Sequence, residues 1–275
     1  MVKPIAIQGV KGSFHHQVVE NYFDMTSEVH ESLTFDNAVE SLLSGKSDAM
    51  VMALENSIAG SIIPNYALID TNNLQIVGEY YLDVQHNLMA LHGETMDTIK
   101  EVHSHPMALL QCKVFFKDFP HIKLVEAKDT AEVALKIKEQ NLSGIAAIAS
   151  ATAAKLYDLK ILAKSIQTIK HNETRFAIVK RENSKIERNS INKASLKFEL
   201  DHKRGSLATI LNVMSDCKLN LTKIQSLPKI DTPWKYAFFV DVTFNTYNDF
   251  EKALAIIKIM AENFKLLGEY KNARL

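Results

Sequence analysis

The amino-acid sequence predicts an α/β protein with two lobes, followed by a smaller α+β domain. Strand-like and helix-like segments alternate through residues 1–180, and the short, wholly apolar run at residues 49–54 is typical of a buried parallel strand. The polar and charged stretch 181–193 predicts a linker. Residues 194–275 have the order strand–helix–strand–strand–helix–strand. We therefore expect one domain at 1–180, with lobes 1–79 plus 165–180 and 80–164, and a second at 194–275.

Local patterns predict the elements of the first domain. Residues 5–8 favour a strand, and Ser13 is expected to cap a helix that extends to residue 23. A second helix is expected to start at Asp36 and to stop at Gly45. Its apolar face is predicted to contain Ala38, Val39, Leu42 and Leu43. Further helices are predicted over 106–116 and 130–138, and further strands over 144–149, 161–164 and 175–179.

The second domain is predicted in the same way. A turn with Pro228 and Pro233 separates its two central strands. Strands are expected over 194–200, 219–224, 236–244 and 266–270, and helices over 207–217 and 250–264.

Composition argues against several classes of partner. Hydrophobic residues make up 47% and charged residues 23%, as in an ordinary globular protein. Lys plus Arg and Asp plus Glu both number 32, so no overall field attracts nucleic acid or a membrane. We expect neither partner, and an anionic ligand must be held by local groups.

We also expect no metal and no cofactor. Cys112 and Cys217 form no CxxC pair, and the close histidine pairs lack a carboxylate or cysteine at the usual ligand spacing. The glycine-containing loop at residues 9–14 is neither GxGxxG nor a P-loop. The N-terminus reads as a first strand and no long apolar run occurs, so a cytoplasmic location is expected.

Three distant segments place uncharged hydrogen-bonding side chains at the edges of predicted strands or helices. They suit a pocket for a small, oxygen-rich anion that is worked on without a metal. The segments are Glu55-Asn56-Ser57, the stretch from Ser104 to Gln111, and Asn172-Glu173-Thr174-Arg175-Phe176.

The third segment has the strongest chemistry. Thr174 supplies a hydroxyl, and Arg175 supplies a permanent cation that can bind a carboxylate through two bonds. In a regular strand these neighbours point to opposite faces, so both serve one site only if the strand is irregular there. A β-prone threonine beside a surface arginine is the alternative interpretation.

The other two segments are less specific on their own. Asn56 and Ser57 follow the strand at 49–54, where they either bind a ligand or cap a following helix. Ser104 and Gln111 are seven residues apart, so a helix would place them on one face, although an ordinary capped helix has the same pattern.

In this order and spacing the motifs resemble the prephenate dehydratase family, which makes phenylpyruvate on the route to phenylalanine. The resemblance extends along essentially the whole chain and includes the string His105-Pro106-Met107-Ala108-Leu109-Leu110-Gln111-Cys112. The segments 201–207 and 219–224 resemble the amino-acid-sensing ACT domain. The resemblance implies a two-lobed, solute-binding-protein-like catalytic domain with a C-terminal βαββαβ ACT domain.

The resemblance also implies a reaction and a set of roles. Prephenate is decarboxylated with loss of its ring hydroxyl, Thr174 assists that loss, phenylalanine acts as effector, and the chain forms a homodimer or homotetramer. Arogenate dehydration and a non-catalytic sensor of small anions or amino acids are the alternatives. The implied substrate-binding residues are Ser13, Asn56, Ser57, Ser104, Gln111, Arg175 and Phe176, and the implied effector residues are Gly205, Leu207 and Ser226.

The regulatory segment departs from the family pattern. The family usually has Gly-Ala-Leu and Glu-Ser-Arg-Pro where this chain has Gly205-Ser206-Leu207 and Gln225-Ser226-Leu227-Pro228. Loss of the glutamate and arginine charges predicts weaker coupling between effector binding and activity.

Overall fold

The computed structural model describes residues 3–23, 25–181, 190–201, 203–229 and 235–274. The chain divides into two compact units. Unit 1 contains Met1–Gly60 and Tyr81–Phe176, and unit 2 contains Ser61–Tyr80 and Ala177–Leu275. This division groups Ser61–Tyr80 with the C-terminal residues, whereas the sequence assigns them to the first lobe. The predicted domain bounds stay a prediction, and most of the predicted linker (182–189) lies outside the described residues, as does Pro233.

The elements up to residue 83 alternate between strand and helix except at β3 and β4, which are consecutive strands. They are β1 (Ile5–Gln8), α1 (Phe14–Tyr22), β2 (Val29–Ser32), α2 (Phe35–Leu43), β3 (Ala49–Asn56), β4 (Gly60–Ser61), α3 (Ile63–Thr71) and β5 (Leu74–Asp83).

The next part of the chain again combines strands and helices, with β6 and β7, and later β10 and β11, as consecutive strands. It contains β6 (Asn87–Ala90), β7 (Glu101–Ser104), α4 (Pro106–Cys112), a 3₁₀ helix (Phe115–Asp118), β8 (Lys123–Glu126), α5 (Thr130–Glu139), β9 (Ile145–Ala149), α6 (Ala151–Leu156), β10 (Lys160–Ala163) and β11 (Glu173–Arg181).

The C-terminal part has the predicted βαββαβ order among its described residues. Its elements are β12 (Lys193–Glu199), α7 (Ser206–Asp216), β13 (Asn220–Pro228), β14 (Tyr236–Thr243), α8 (Tyr247–Met260) and β15 (Glu262–Tyr270).

Unit 1 contains mixed sheets, which confirms the α/β class. β1 lies between β2 and β3 and pairs with both in parallel. The predicted strand at residues 49–54 is therefore confirmed as a buried parallel strand, and it extends to Asn56. A second sheet has the order β10-β6-β9-β7-β8, with parallel pairs on both sides of β7 and antiparallel pairs on both sides of β6.

Two predicted details of the helices in unit 1 are wrong. Leu43 is 45% exposed instead of buried, because it follows Leu42 by one residue and so points about 100° away around the helix. The helix predicted over 106–116 ends at Cys112, after which a 3₁₀ turn follows at Phe115–Asp118. The predicted N-cap of α1 is confirmed, since the Ser13 hydroxyl accepts a bond from the His16 backbone N–H.

Unit 2 has an apolar core on one face of its β12 strand. Alternate β12 residues pack with side chains of α7 and α8, among them Leu196, Phe198, Ile210 and Phe250. The helix predicted over 250–264 starts earlier and ends at Met260, because Thr246 caps its first turn and the residues after 261 form β15. Long-range pairing of β15 with β12 thus outweighs the helical pattern of the sequence.

The other face of β12 is polar, yet it is also buried. The Lys193 ammonium lies 2.8 Å from the Glu79 carboxylate, and both side chains are almost fully buried. Ser195 bonds to the Asp241 carboxylate (2.5 Å) and to the Tyr270 hydroxyl (2.7 Å). Each buried charge or hydroxyl therefore has a partner, which removes most of its desolvation cost.

Replacement of Gly268 by alanine should destabilise unit 2. Gly268 pairs with Ile76 where β15 meets β5, and an added Cβ would lie about 2.8 Å from the Ile76 carbonyl carbon and closer still to its oxygen. Backbone must move to relieve that contact, so we expect the free energy of unfolding to fall by about 3 kcal/mol. Denaturant unfolding measures the change, and an unchanged midpoint would contradict the close approach.

Candidate active site

Asn56, at the end of β3, is the centre of a hydrogen-bonded side-chain network. Its Oδ1 accepts bonds from the backbone N–H groups of Ile58 (3.0 Å) and Ala59 (2.8 Å). That fixes the amide orientation, because only oxygen can accept. Its Nδ2 then donates to Asn172 Oδ1 (2.7 Å) and to Thr174 Oγ1 (2.9 Å). The predicted helix does not follow directly, since α3 begins only at Ile63.

The direction of the Asn56–Thr174 bond determines what Thr174 can do. Since an amide N–H can only donate, Thr174 Oγ1 is the acceptor and keeps its own proton for another partner. Thr174 is 7% exposed, so this hydroxyl is held in place by its surroundings. The local arrangement produces an oriented O–H donor.

Gln111 provides a second donor. Its Oε1 accepts from Asn172 Nδ2 (2.9 Å) and lies 2.8 Å from His86 Nε2. Its Nε2 has no hydrogen-bond partner among the residues that the structure describes. The carboxamide oxygen is thus occupied while the two N–H groups remain available to an acceptor.

Ser57 provides a third donor, next to Asn56 in the chain and bonded to the backbone of Glu173. The Ser57 backbone N–H donates to the Glu173 carbonyl (2.8 Å), and Ser57 Oγ accepts from the Glu173 backbone N–H (2.9 Å). Ser57 is exposed, and its hydroxyl proton stays available. The structure therefore brings together four residues singled out in the sequence: Asn56, Ser57, Gln111 and Thr174.

Ser104 and Ser13 serve the protein's own backbone. Ser104 is fully buried, and its hydroxyl donates to the Ile148 carbonyl (2.7 Å). It is the last residue of β7, so the argument that it shares a helix face with Gln111 is wrong. Ser13 is 3% exposed and caps α1. Neither side chain is hydrogen-bonded to the Asn56 network.

Arg175 and Phe176 lie in the interior of unit 1. β11 already begins at Glu173, so the irregular strand that would allow Thr174 and Arg175 to share a face is absent there. Alternation along the strand places Arg175, which is 3% exposed, opposite Thr174. Phe176 is 2% exposed and meets the His15 ring edge-to-face at 5.0 Å. Their predicted contacts with substrate stay predictions.

Sequence reasoning missed two members of the network. Asn172 lies within the third motif but received no role, although it is fully buried and links Asn56 to Gln111. His86 lies outside every motif, and only folding brings it to Gln111. Burial lowers the pKa of His86 below its usual value, against the opposing effect of the Gln111 hydrogen bond. The side chains of the network are therefore all uncharged at neutral pH.

Two other kinds of feature are absent from the described residues. The described part of the chain contains no group of three or more His, Cys, Asp or Glu side chains placed to hold a metal ion. Among the described helices, none is both long and apolar enough to cross a membrane.

The fold is of the α/β class with mixed parallel and antiparallel sheets, and its side-chain network is uncharged and rich in hydrogen-bond donors. Together the fold and this site define the class of the protein, an α/β enzyme. A family model described as prephenate dehydratase matches residues 5–184. The chain belongs to the prephenate dehydratase family and is an enzyme of that family.

Two curated relatives match almost the whole chain. A bifunctional chorismate mutase/prephenate dehydratase of Buchnera aphidicola subsp. Acyrthosiphon pisum is 32% identical, over 97% of this chain and 70% of the relative. The chloroplastic arogenate dehydratase/prephenate dehydratase 2 of Arabidopsis thaliana is 35% identical, over 97% and 72%. The family therefore includes members named for either substrate.

Two solved structures have the same fold. Prephenate dehydratase from Arthrobacter aurescens in complex with L-Phe superposes with a TM-score of 0.89 at 24% identity, over 98% of this chain and 90% of that one. A protein described as GqqA, a novel type of quorum quenching acylase, has a TM-score of 0.89 at 26% identity, over 98% of both chains. The fold alone does not determine the reaction, so the side chains must.

Proposed function

We propose that this enzyme converts prephenate to phenylpyruvate by decarboxylation and dehydration. The observation that carries the proposal is the direction of one hydrogen bond. Asn56 donates to Thr174 Oγ1, so the Thr174 O–H remains available to the ring hydroxyl of the substrate. Thr174 is the proposed catalytic residue.

The chemistry requires little more than orientation and one donor. As the ring carboxylate leaves as carbon dioxide, the electron pair of the broken C–C bond enters the ring and expels the hydroxyl group from the opposite carbon. The departing hydroxide accepts the Thr174 hydrogen bond and becomes water by taking up a proton that comes ultimately from the solvent. Aromatisation drives the step, so the protein must orient the dianion and stabilise the departing oxygen. Gln111 and Ser57 are proposed to donate to substrate oxygens, while Asn56 orients Thr174.

The remaining predicted contacts with substrate involve side chains that already have other partners or face away from Thr174. Arg175 would bind a carboxylate as a fork only after leaving the strand face on which alternation places it. The hydroxyls of Ser13 and Ser104 already bond to backbone groups, since Ser13 caps α1 and Ser104 donates to the Ile148 carbonyl. A contact of Phe176 with substrate would require its packing against His15 to change.

An acylase of the usual nucleophilic type fits this site poorly. Such an enzyme needs a hydroxyl or thiol beside a general base that removes its proton. No described side chain accepts the Thr174 proton, and His86 is separated from Thr174 by Gln111, Asn172 and Asn56.

Turnover assays with both candidate substrates test the proposal. Arogenate differs from prephenate by an amino group in place of the side-chain keto oxygen. Purified protein should form phenylpyruvate from prephenate, and the absorbance of phenylpyruvate in base measures its formation. Faster formation of phenylalanine from arogenate would favour the arogenate alternative. Absence of turnover with both, together with binding of either, would favour a non-catalytic sensor.

We further propose that residues 194–275 form an ACT domain that binds phenylalanine. The βαββαβ order supports this, as does a cavity of about 480 Å³ at the start of α7. Gly205, which lines that cavity, has φ = 83°, in the left-handed region that favours glycine. The helix N-terminus beside it suits a carboxylate. Leu207 lines a neighbouring cavity, and Ser226 pairs with Phe238 of its wall.

Phenylalanine should bind to the protein but inhibit it only modestly. Where the family has glutamate and arginine, Gln225 bonds the Ser226 carbonyl and Leu227 is buried. Because those two charges are missing, we expect coupling at the low end of the usual range of about 1–3 kcal/mol, or roughly a fivefold change in affinity. Calorimetric titration beside an activity curve measures both quantities.

A variant at Gly205 tests whether phenylalanine acts through this cavity. Gly205→Asn keeps the left-handed turn and places a side chain at the cavity, so it should abolish phenylalanine binding while activity is retained. Undetectable binding to the parent at millimolar phenylalanine would refute the site, and strong inhibition of the parent would refute weak coupling.

Assembly and location complete the proposal. The resemblance to ACT-containing dehydratases supports a homodimer or homotetramer, and we propose separately that the protein is cytoplasmic. Light scattering of the purified protein tests the first, and a fluorescent fusion in the source cell tests the second.

A further inference from the structure

His86 is fixed from several sides. It immediately precedes β6 and is 4% exposed. Its backbone N–H donates to Gln167 Oε1 (3.0 Å), and its carbonyl accepts from the Ile166 N–H (2.8 Å). Its ring meets the Phe14 ring edge-to-face at 5.7 Å. The imidazole therefore presents Nε2 to Gln111 in a constrained position.

The hydrogen-bond directions in the network determine the tautomer of this ring. Asn56 Nδ2 faces Asn172, so the Asn172 atom it contacts is Oδ1. Asn172 Nδ2 then faces Gln111, so the Gln111 atom it contacts is Oε1. An oxygen can only accept, and therefore His86 Nε2, 2.8 Å away, carries a proton.

The other ring nitrogen is unprotonated. His86 Nδ1 is buried and has no hydrogen-bond partner within the described ranges. A second proton would place an unpaired charge there, and burial accordingly lowers the pKa of the ring. His86 is thus a neutral imidazole with a single N–H, which it gives to Gln111.

We propose that His86 is a positioning residue that orients the Gln111 carboxamide toward the substrate. Together with Asn172 it occupies the Gln111 oxygen, which leaves the Gln111 N–H groups as the donors that face the ligand. Without the histidine N–H, the Gln111 oxygen loses one of the two hydrogen bonds that hold it toward the protein and so leave the Gln111 N–H groups facing the ligand. This inference rests on the proposed function, because the ligand of Gln111 is the substrate anion.

A double-mutant cycle tests the role. His86→Leu removes the N–H and should lower kcat/KM by about tenfold, and His86→Gln, which keeps a donor at similar reach, should recover most of that loss. Gln111→Leu removes the residue that His86 acts through. The double variant should therefore be no slower than Gln111→Leu, since the two residues act as one unit. Losses that multiply, or an unaffected His86→Leu variant, would overturn the proposal.

A spectroscopic readout is independent of turnover. ¹⁵N NMR of the imidazole distinguishes protonated from unprotonated ring nitrogens, and we expect His86 to be neutral and protonated only at Nε2. Protonation at Nδ1 would overturn the inference even if His86→Leu fails to fold. Failure of the proposed function has a different signature, namely a folded parent enzyme that turns over neither prephenate nor arogenate.

Discussion

Thr174→Val should lower kcat by about 10²-fold or more, the scale on which acid–base assistance acts. Valine keeps the size and β-branching of threonine, so strand β11 can accommodate it. What disappears is the O–H that the bond from Asn56 leaves available to the proposed substrate. Steady-state kinetics with prephenate measure the effect.

The matched control is Thr174→Ser. It keeps the hydroxyl and the acceptor for Asn56 but lacks the methyl group, so it should retain much more activity than the valine variant. Melting temperatures of the two variants should lie close to that of the parent. Near-normal turnover by Thr174→Val in a folded protein would rule out Thr174 as the donor to the departing oxygen.

Sequence patterns predicted well the features that depend on neighbouring residues. The Ser13 cap and the apolar strand at residues 49–54 involve contacts within a few residues or a continuous apolar run. The family resemblance, and no local pattern, groups Asn56 with Thr174, and the structure places these two side chains within hydrogen-bond distance. No local rule could pair residues that are 118 positions apart.

Errors arose where long-range packing decides the outcome. Ser104 belongs to β7 because that strand pairs with β8 and β9, which the spacing to Gln111 could not indicate. α8 ends at Met260 because the residues from Glu262 onward pair with β12 as strand β15. His86 lies in no motif, and its proposed role depends on Gln111, which is 25 residues away. Such features follow from tertiary contacts, which periodicity does not encode.

The directional network allows a second strong expectation. Asn56→Asp is isosteric, and one carboxylate oxygen can still accept from the Ile58 and Ala59 N–H groups. The other oxygen replaces the Nδ2 donor beside Thr174 Oγ1 and Asn172 Oδ1. Because a carboxylate oxygen can only accept, Thr174 would then donate its proton to the new carboxylate instead of to the substrate.

Electrostatic repulsion adds to that loss. The new carboxylate would lie 2.7 Å from Asn172 Oδ1 unless the Asn172 amide rotates, and rotation would present oxygen to Gln111 Oε1. A negative charge would also face a dianionic substrate, and like charges at close range cost several kcal/mol. We therefore expect kcat/KM to fall by about 10²-fold or more, with both donors misdirected.

Asn141→Asp is the control for the change in charge. Asn141 is exposed in unit 1 and has φ = 50°, which aspartate tolerates as well as asparagine does. The kinetics of Asn141→Asp should match those of the parent. Any loss of activity in Asn56→Asp then arises from the change at the site and not from the change in net charge. If Asn56→Asp retained activity within about threefold of the parent, the amide of Asn56 would not set the direction of the Thr174 hydroxyl, and the proposed donor role would lose its structural basis.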